Sequence, residues 1–266
     1  MMVYKKEYYE QSDFWNRDYL KIPAEKERIK EIIDTIPSDV RSILDVGCGN
    51  GAFVNTLSNG FPNRFDKIVG LDSSKEALKH VKTEKFNGSI GNLPFRDKNF
   101  DLVTCLEVLE HLPQKDFEKG ILELQRVSKK YIIITVPNEE DLEHSLVMCP
   151  KCYCWFNPYF HIRSFNKNIV HNLFASFKSI KIKEIGPMSE YRSYNRLLLT
   201  FYRTWSKSLP PETAICPQCG YQYRENSKSL RNKSSYSSLF KLLIKLISPI
   251  KRKKIWLLVL YEKANR

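Results

Sequence analysis

Leu44-Asp45-Val46-Gly47-Cys48-Gly49-Asn50-Gly51 is the stretch that decides the fold. Ser42 to Val46 is a short apolar run with strand character. It empties into three glycines spaced G-x-G-x-G. Glycine accepts positive φ and lets backbone approach a ligand closely. The helix-like segment that follows, Ala52 to Leu57, presents unpaired N–H groups at its start. The spacing is not the dinucleotide pattern G-x-G-x-x-G, and no Walker lysine follows. About 20 residues on, Asp72 closes the next strand, Lys67 to Leu71. A carboxylate placed there accepts hydrogen bonds from both hydroxyls of a ribose.

Outward from this loop, strand and helix patterns alternate. Ile29, Ile32, Ile33 and Ile36 share one helical face, with Pro37 as a stop. Ser74 to Val81 reads as a helix, Phe86 to Ile90 as a weaker strand, Phe100 to Leu106 as a strong strand and Gln114 to Val127 as a helix. Tyr131 to Val136 holds three consecutive isoleucines. A cysteine-rich loop interrupts the alternation, which Asn166 to Phe177 (helix), Ser179 to Ile185 and Ile255 to Tyr261 (strands) resume. Such alternation predicts an α/β fold with a largely parallel, Rossmann-like sheet of seven strands and helices on both faces.

The motifs resemble those of class I S-adenosylmethionine-dependent methyltransferases, the ubiquinone/menaquinone-biosynthesis branch in particular. The glycine stretch is the first of them. Leu71-Asp72-Ser73-Ser74, Leu93-Pro94-Phe95, Asn99-Phe100-Asp101, Leu106 to Leu112 (LEVLEHL) and Val136-Pro137-Asn138 follow in the family's order. The resemblance implies that S-adenosylmethionine is the cofactor and S-adenosylhomocysteine the product. It places the amino-acid end of the cofactor against Asp45 and the Gly47, Cys48, Gly49, Asn50 and Gly51 loop. It places the ribose at Asp72, the adenine near Ser73, Ser89 and Ile90, and the methionine end near Leu106 and Glu107. Relatives carry Asp where Ser89 stands, so the adenine contact is reduced here. Cys48 and Cys105 read as small buried residues.

Glu107, Glu110 and His111 fall on one face if their segment is helical. His111 then has three readings: a base poised near neutral pH, a ligand with the two glutamates for a divalent metal, or a loop-orienting residue. His161, in Tyr159-Phe160-His161-Ile162-Arg163-Ser164-Phe165, is a second candidate base or substrate-binding residue by the same resemblance. Trp155, Phe156, Tyr159 and Phe160 beside it form either an apolar substrate wall or a small core.

Cys149-Pro150-Lys151-Cys152 and Cys216-Pro217-Gln218-Cys219 are two C-P-x-C knuckles. Each aims two thiolates at one point, and together Cys149, Cys152, Cys216 and Cys219 complete a closed, structural tetrahedral zinc site. Cys154 and His161 are spare donors. The predicted division is a methyltransferase core, residues 1–187 plus 253–266, with a helical lead-in over 1–38. A basic insertion, 188–252, is clamped through the zinc to loop 138–165.

Hydrophobic residues at 42% and charged residues at 27% describe an ordinary globular chain. No apolar run approaches the roughly 20 residues of a membrane span, and no secretory leader is visible. The expected location is cytoplasmic, up to the inner membrane surface. The net charge of +13 lies entirely in residues 181–266, which hold 18 Lys/Arg against 5 Asp/Glu. Residues 239–254 combine an apolar helical face with Lys251-Arg252-Lys253-Lys254, the composition of a peripheral membrane contact or of an ordinary packed helix. The resulting expectation is methyl transfer to a hydroxyl oxygen of a small or lipid-linked acceptor, of glycan or polyprenyl type. Methylation of RNA by an enzyme with a zinc module, and a non-catalytic cofactor-binding scaffold, are the alternatives.

Overall fold

The computed structural model describes residues 9–10, 12–143, 145–192, 214–222 and 250–264. The chain divides into two compact units. One comprises Lys6–Glu139, Arg163–Pro187 and Lys254–Arg266; the other comprises Met1–Lys5, Glu140–Ile162 and Met188–Lys253.

The larger unit is built on a sheet. Strands β1 (Ser42–Val46), β2 (Lys67–Asp72), β3 (Glu84–Asn87), β4 (Phe100–Leu106) and β5 (Ser128–Pro137) are followed by two short strands, β6 (Val147–Met148) and β7 (Trp155–Phe156), and two long ones, β8 (Phe177–Arg192) and β9 (Ile250–Lys263). The seven-stranded sheet has the order β3-β2-β1-β4-β5-β9-β8. Pairings from β3 through β5 are parallel, while β5 and β9 run antiparallel. Order reverses between β1 and β4, the switch point where ligands of open α/β sheets bind.

Helix α1 is the single turn Ser12–Trp15, and the longer helices pack as their periodicities require. In α2 (Pro23–Ile33) proline occupies the first turn, where its missing N–H costs nothing, and Ile29, Ile32 and Ile33 are buried. Helix α3 (Ala52–Gly60) starts from Gly51 and buries Phe53, Val54 and Leu57. In α5 (Gln114–Val127) the buried stripe is Gly120, Leu124 and Val127.

Several elements are shorter than their patterns predict, for local reasons. Helix α4 is only Lys75–Leu78. Asn55 ends it, donating to the carbonyl of His80 and accepting from the N–H of Lys82. Helix α6 is Lys167–His171 rather than the longer Asn166–Phe177 segment; Gln125 captures both the N–H and the hydroxyl of Ser176. The segment before Leu112 is a single 3-10 turn, Leu109–His111, so Glu107 lies outside it. Strand β3 precedes its predicted place because the Asn87 side chain bonds the carbonyls of Asp72 and Ser73.

The basic run 250–254 is the start of strand β9, not a turn or a surface helix. Asn138 donates from its side chain to the Lys254 carbonyl and from its N–H to the Ile255 carbonyl. The rest of the proposed membrane-contact segment, 239–249, lies outside the described residues. Among those described, no helix is long and apolar enough to cross a membrane.

Tyr261 on β9 is fully buried, packs edge-on against Phe174 at 4.8 Å, and donates its hydroxyl to the Val170 carbonyl at 2.5 Å. Tyr261→Phe keeps the ring and removes this bond, while the Val170 carbonyl keeps the N–H groups of Asn172 and Leu173. It is expected to lower stability by about 0.5–1.5 kcal/mol in chemical denaturation; an unchanged midpoint would show that the bond contributes nothing net.

Candidate active site

The glycine loop is shaped by its own backbone. The N–H groups of Gly47 and Cys48 both donate to the Leu71 carbonyl, at 2.7 and 3.0 Å, tying the end of β1 to the end of β2. Gly47, Gly49 and Gly51 all have positive φ, at 77°, 53° and 80°. A Cβ on Gly47 would stand 2.4 Å from the Val108 side chain, so both conformation and space exclude any other residue there.

Asp72 orients the loop. Its Oδ2 accepts from the Gly49 N–H and its Oδ1 from the Ser74 N–H, both at 2.8 Å. Burial raises its pKa, with the amides of Ser74, Gly49 and Ser73 working in the opposite direction. Each oxygen keeps a further lone pair for a hydroxyl donor. Asp45 is 2% exposed and accepts from the Thr104 hydroxyl at 2.6 Å. Burial pushes its pKa up to about 7, and Asp72 adds to the shift. A carboxylate this deep is complemented by a cationic group.

Past β4 the backbone is unusual. Glu107 has φ 56°, rarely adopted by a residue with a side chain, and its N–H donates to the Thr135 carbonyl. Glu110 is fully buried, with Oε1 3.8 Å from His111 Nε2. Ser89, whose hydroxyl accepts from the Gly91 N–H, and the buried Ile90 follow β3. Asn50 donates to the carbonyls of Trp15 and Arg17.

That last contact introduces residues that the sequence motifs do not mark. Trp15 lies against Gly49, where a Cβ would meet its ring at 2.9 Å, and its indole N–H donates to the Tyr9 carbonyl. The Ser74 hydroxyl donates to that same carbonyl, and the Tyr9 ring stands edge-on to His111. Arg28, on α2, is the other addition. Its guanidinium bonds Glu25 and the Thr135 hydroxyl and lies over the Trp256 ring. Burial works against its charge, but Glu107, Glu25 and Glu110 more than offset this and raise its pKa. The only sequence signal for it is one charge among the isoleucines of an amphipathic helix.

In the smaller unit His161 Nδ1 meets the Glu140 carboxylate, whose other oxygen accepts from Asn157 Nδ2 at 3.1 Å. Burial disfavours the Glu140 charge, but hydrogen bonds and charge from His161, with Asn157, hold its pKa below the usual value. Glu140 is a further residue that sequence reasoning missed. Of the neighbouring aromatics, Phe156 and Phe160 are buried and stacked at 6.4 Å, whereas Tyr159 is exposed.

The four predicted cysteines converge here too. Cys149, Cys152, Cys216 and Cys219 place their sulfurs within 4.8 Å of one another. Cys149 and Cys219 are 3.7 Å apart, and Cys152 and Cys216 3.5 Å. A regular tetrahedron with metal–sulfur bonds of about 2.3 Å has edges of roughly 3.8 Å. The Cys154 amide leads the groups that pull the Cys152 thiol down to about 6, while burial holds Cys216 and Cys219 at about 12. Four thiolates cannot ionise together in this space without a cation, and a divalent ion with a preference for sulfur fits the donor set.

Residues 44–134 match the family described as "Methyltransferase domain". The chain is 30% identical over 142 residues to the small RNA 2'-O-methyltransferase of Arabidopsis thaliana, a match covering 46% of this chain and 15% of that protein. It is 36% identical over 84 residues to the ubiquinone biosynthesis O-methyltransferase of Alkalilimnicola ehrlichii, covering 27% and 32%. The chain thus spans less than half the length of these curated relatives. In structure it resembles a chain from the complex between the Haloferax volcanii Trm112 methyltransferase activator and a methyltransferase, with a TM-score of 0.54, 14% identity, and 98% and 96% coverage.

Asp45 yields a pH prediction. With its folded pKa near 7 and an unfolded value near 3.9, the native state binds the extra proton between those values, so stability falls as pH rises through that window. Asp45→Asn removes the cost and keeps an acceptor for Thr104. In the absence of any ligand the variant is expected to melt above wild type at pH 8, with the gap closing toward pH 5. A pH-independent difference would refute the buried charge as its cause.

Proposed function

We propose, from the premise that residues 44–134 are a class I S-adenosylmethionine-dependent methyltransferase domain, that the methyl group goes to a hydroxyl oxygen of a small or lipid-linked acceptor. The Glu110–His111 pair just past β4 carries this reading, with Glu110 Oε1 3.8 Å from His111 Nε2. A hydroxyl nucleophile must lose a proton, and the His111 imidazole takes it. The buried Glu110 carboxylate stabilises the imidazolium that results.

The bound cofactor supplies an activated methyl on sulfur; the residues bind, align and accept the proton. Asp45 and Arg28, a buried carboxylate and a buried guanidinium, match the ammonium and carboxylate of its amino-acid end, with the Gly47–Gly51 backbone between them. Asp72 takes the ribose. Ser73, Ser89 and Ile90 border the adenine, and Leu106 and Glu107 the methionine chain. His161, held by Glu140 in the smaller unit, is the second candidate base. Zinc on Cys149, Cys152, Cys216 and Cys219 is structural, because a closed set of four thiolates leaves no position for substrate.

The 2'-hydroxyl of RNA is the second reading, favoured by the Arabidopsis relative and by the basic excess after residue 180. Cofactor labelled in its methyl group, incubated with the protein and a cell extract, separates the two. Label in the organic or small-molecule fraction is the expected result, and label confined to RNA would replace it with the second reading. His111→Ala is expected to slow transfer by about 10²- to 10⁴-fold with cofactor affinity unchanged; an unaltered rate would remove the base from the mechanism. Elemental analysis is expected to find one zinc per chain, and protein purified without chelator that lacks zinc would refute the thiolate site.

A further inference from the structure

The two cysteine knuckles repeat one backbone design. In the first, the Tyr153 N–H donates to the Cys149 carbonyl, and the Cys149 N–H to the carbonyl of Cys154. In the second, the Gly220 N–H donates to the Cys216 carbonyl, and the Cys216 N–H to the carbonyl of Tyr221. Tyr153 and Gly220 both take positive φ, at 61° and 68°. Position by position, Cys149 matches Cys216, Cys152 matches Cys219, and Cys154 matches Tyr221. The matched pairs supply four thiols, as many as a tetrahedral centre takes.

Cys154 is therefore surplus to the repeat, yet its sulfur is in contact with the cluster. It lies 3.3 Å from Cys216 Sγ and 3.5 Å from Cys152 Sγ. It is half-exposed, as are Cys152 and Cys219, whereas Cys149 and Cys216 are buried. A disulfide has sulfurs about 2.05 Å apart, so Cys154 and Cys216 need approach by only about 1.3 Å.

We propose that Cys154 is a peroxide-oxidation site that cross-links to Cys216 and thereby opens the metal centre. A peroxide first oxidises Cys154 to a sulfenic acid: the thiol sulfur takes one oxygen, and the O–O bond breaks to release the second, with the thiol proton, as water. The Cys216 thiolate attacks that sulfur, the S–S bond forms, and the sulfenic oxygen leaves as a second water. Overall two thiols and one hydrogen peroxide give one disulfide and two waters, with two electrons passing from sulfur to oxygen. Cys216 is lost as a ligand, and the remaining three thiolates hold the ion more weakly. The release of metal rests on the zinc reading above; the cross-link does not.

The test treats the full chain with hydrogen peroxide, follows zinc with a chromophoric chelator, and maps disulfides by non-reducing peptide mass spectrometry. Wild-type protein is expected to release zinc together with the appearance of a Cys154–Cys216 peptide pair. Cys154→Ser, which leaves the four matched thiols in place, is expected to release it at least tenfold more slowly. Equal rates in the two proteins, or a cross-link within one knuckle, would overturn the proposal. Zinc content and thermal melting of the untreated variant identify a folding defect. Elemental analysis of untreated wild type separates failure of the zinc reading from failure of this one, because the cross-link is mapped whether or not metal is present. A second variant, Cys154→Ala, must reproduce the slow release, since it tests the loss of the thiol without adding a hydroxyl.

Discussion

Two backbone amides on one carboxylate organise the chemistry of the larger unit. Asp72 receives the N–H of Gly49 from one loop and of Ser74 from the next, so the ends of β1 and β2 are locked in register beyond the sheet itself. Charge-assisted bonds of this type are roughly twice as strong as neutral ones. The geometry requires the left-handed conformations of Gly47, Gly49 and Gly51. That requirement in turn explains why the loop can be read from its residue types at all.

Around this clamp the unit carries buried charge that apolar packing alone cannot stabilise. Asp45, Glu110 and Asp72 are all less than a tenth exposed. Arg28 answers Asp45 and Glu110 from α2, where it is also held by Glu25 and Thr135. Leaving a buried charge without its partner costs several kcal/mol, so Arg28 is part of the unit's stability. The strained Glu107 belongs to the same arrangement: a backbone held off its preferred conformation where β4 delivers side chains to the switch point.

The fold was legible because its determinants are local. Strand-forming runs such as Ile132-Ile133-Ile134, the glycine loop and the amphipathic helices each declare themselves within a dozen residues. The C-P-x-C knuckles were legible across 64 residues because ligand spacing is itself a signal. What could not be read depends on contacts distant in sequence. Asn55 stops α4 from 25 residues away and Gln125 displaces the end of α6 from 51 away. Arg28 meets Thr135 across 107 positions, and Glu140 meets His161 across 21. The LEVLEHL segment failed as a helix because Glu107 is bound to Thr135 on the neighbouring strand, a tertiary bond that no periodicity encodes.

The meeting of Cys152 with Cys216 at 3.5 Å turns everything between them into a closed loop. The entropy of closing such a loop grows only with the logarithm of its length, so doubling it costs about 0.6 kcal/mol. The described part of that stretch includes α6 and β8, with Phe165, Val170, Phe174, Phe177 and Ile185 buried, so a change of length is tolerated only outside those elements.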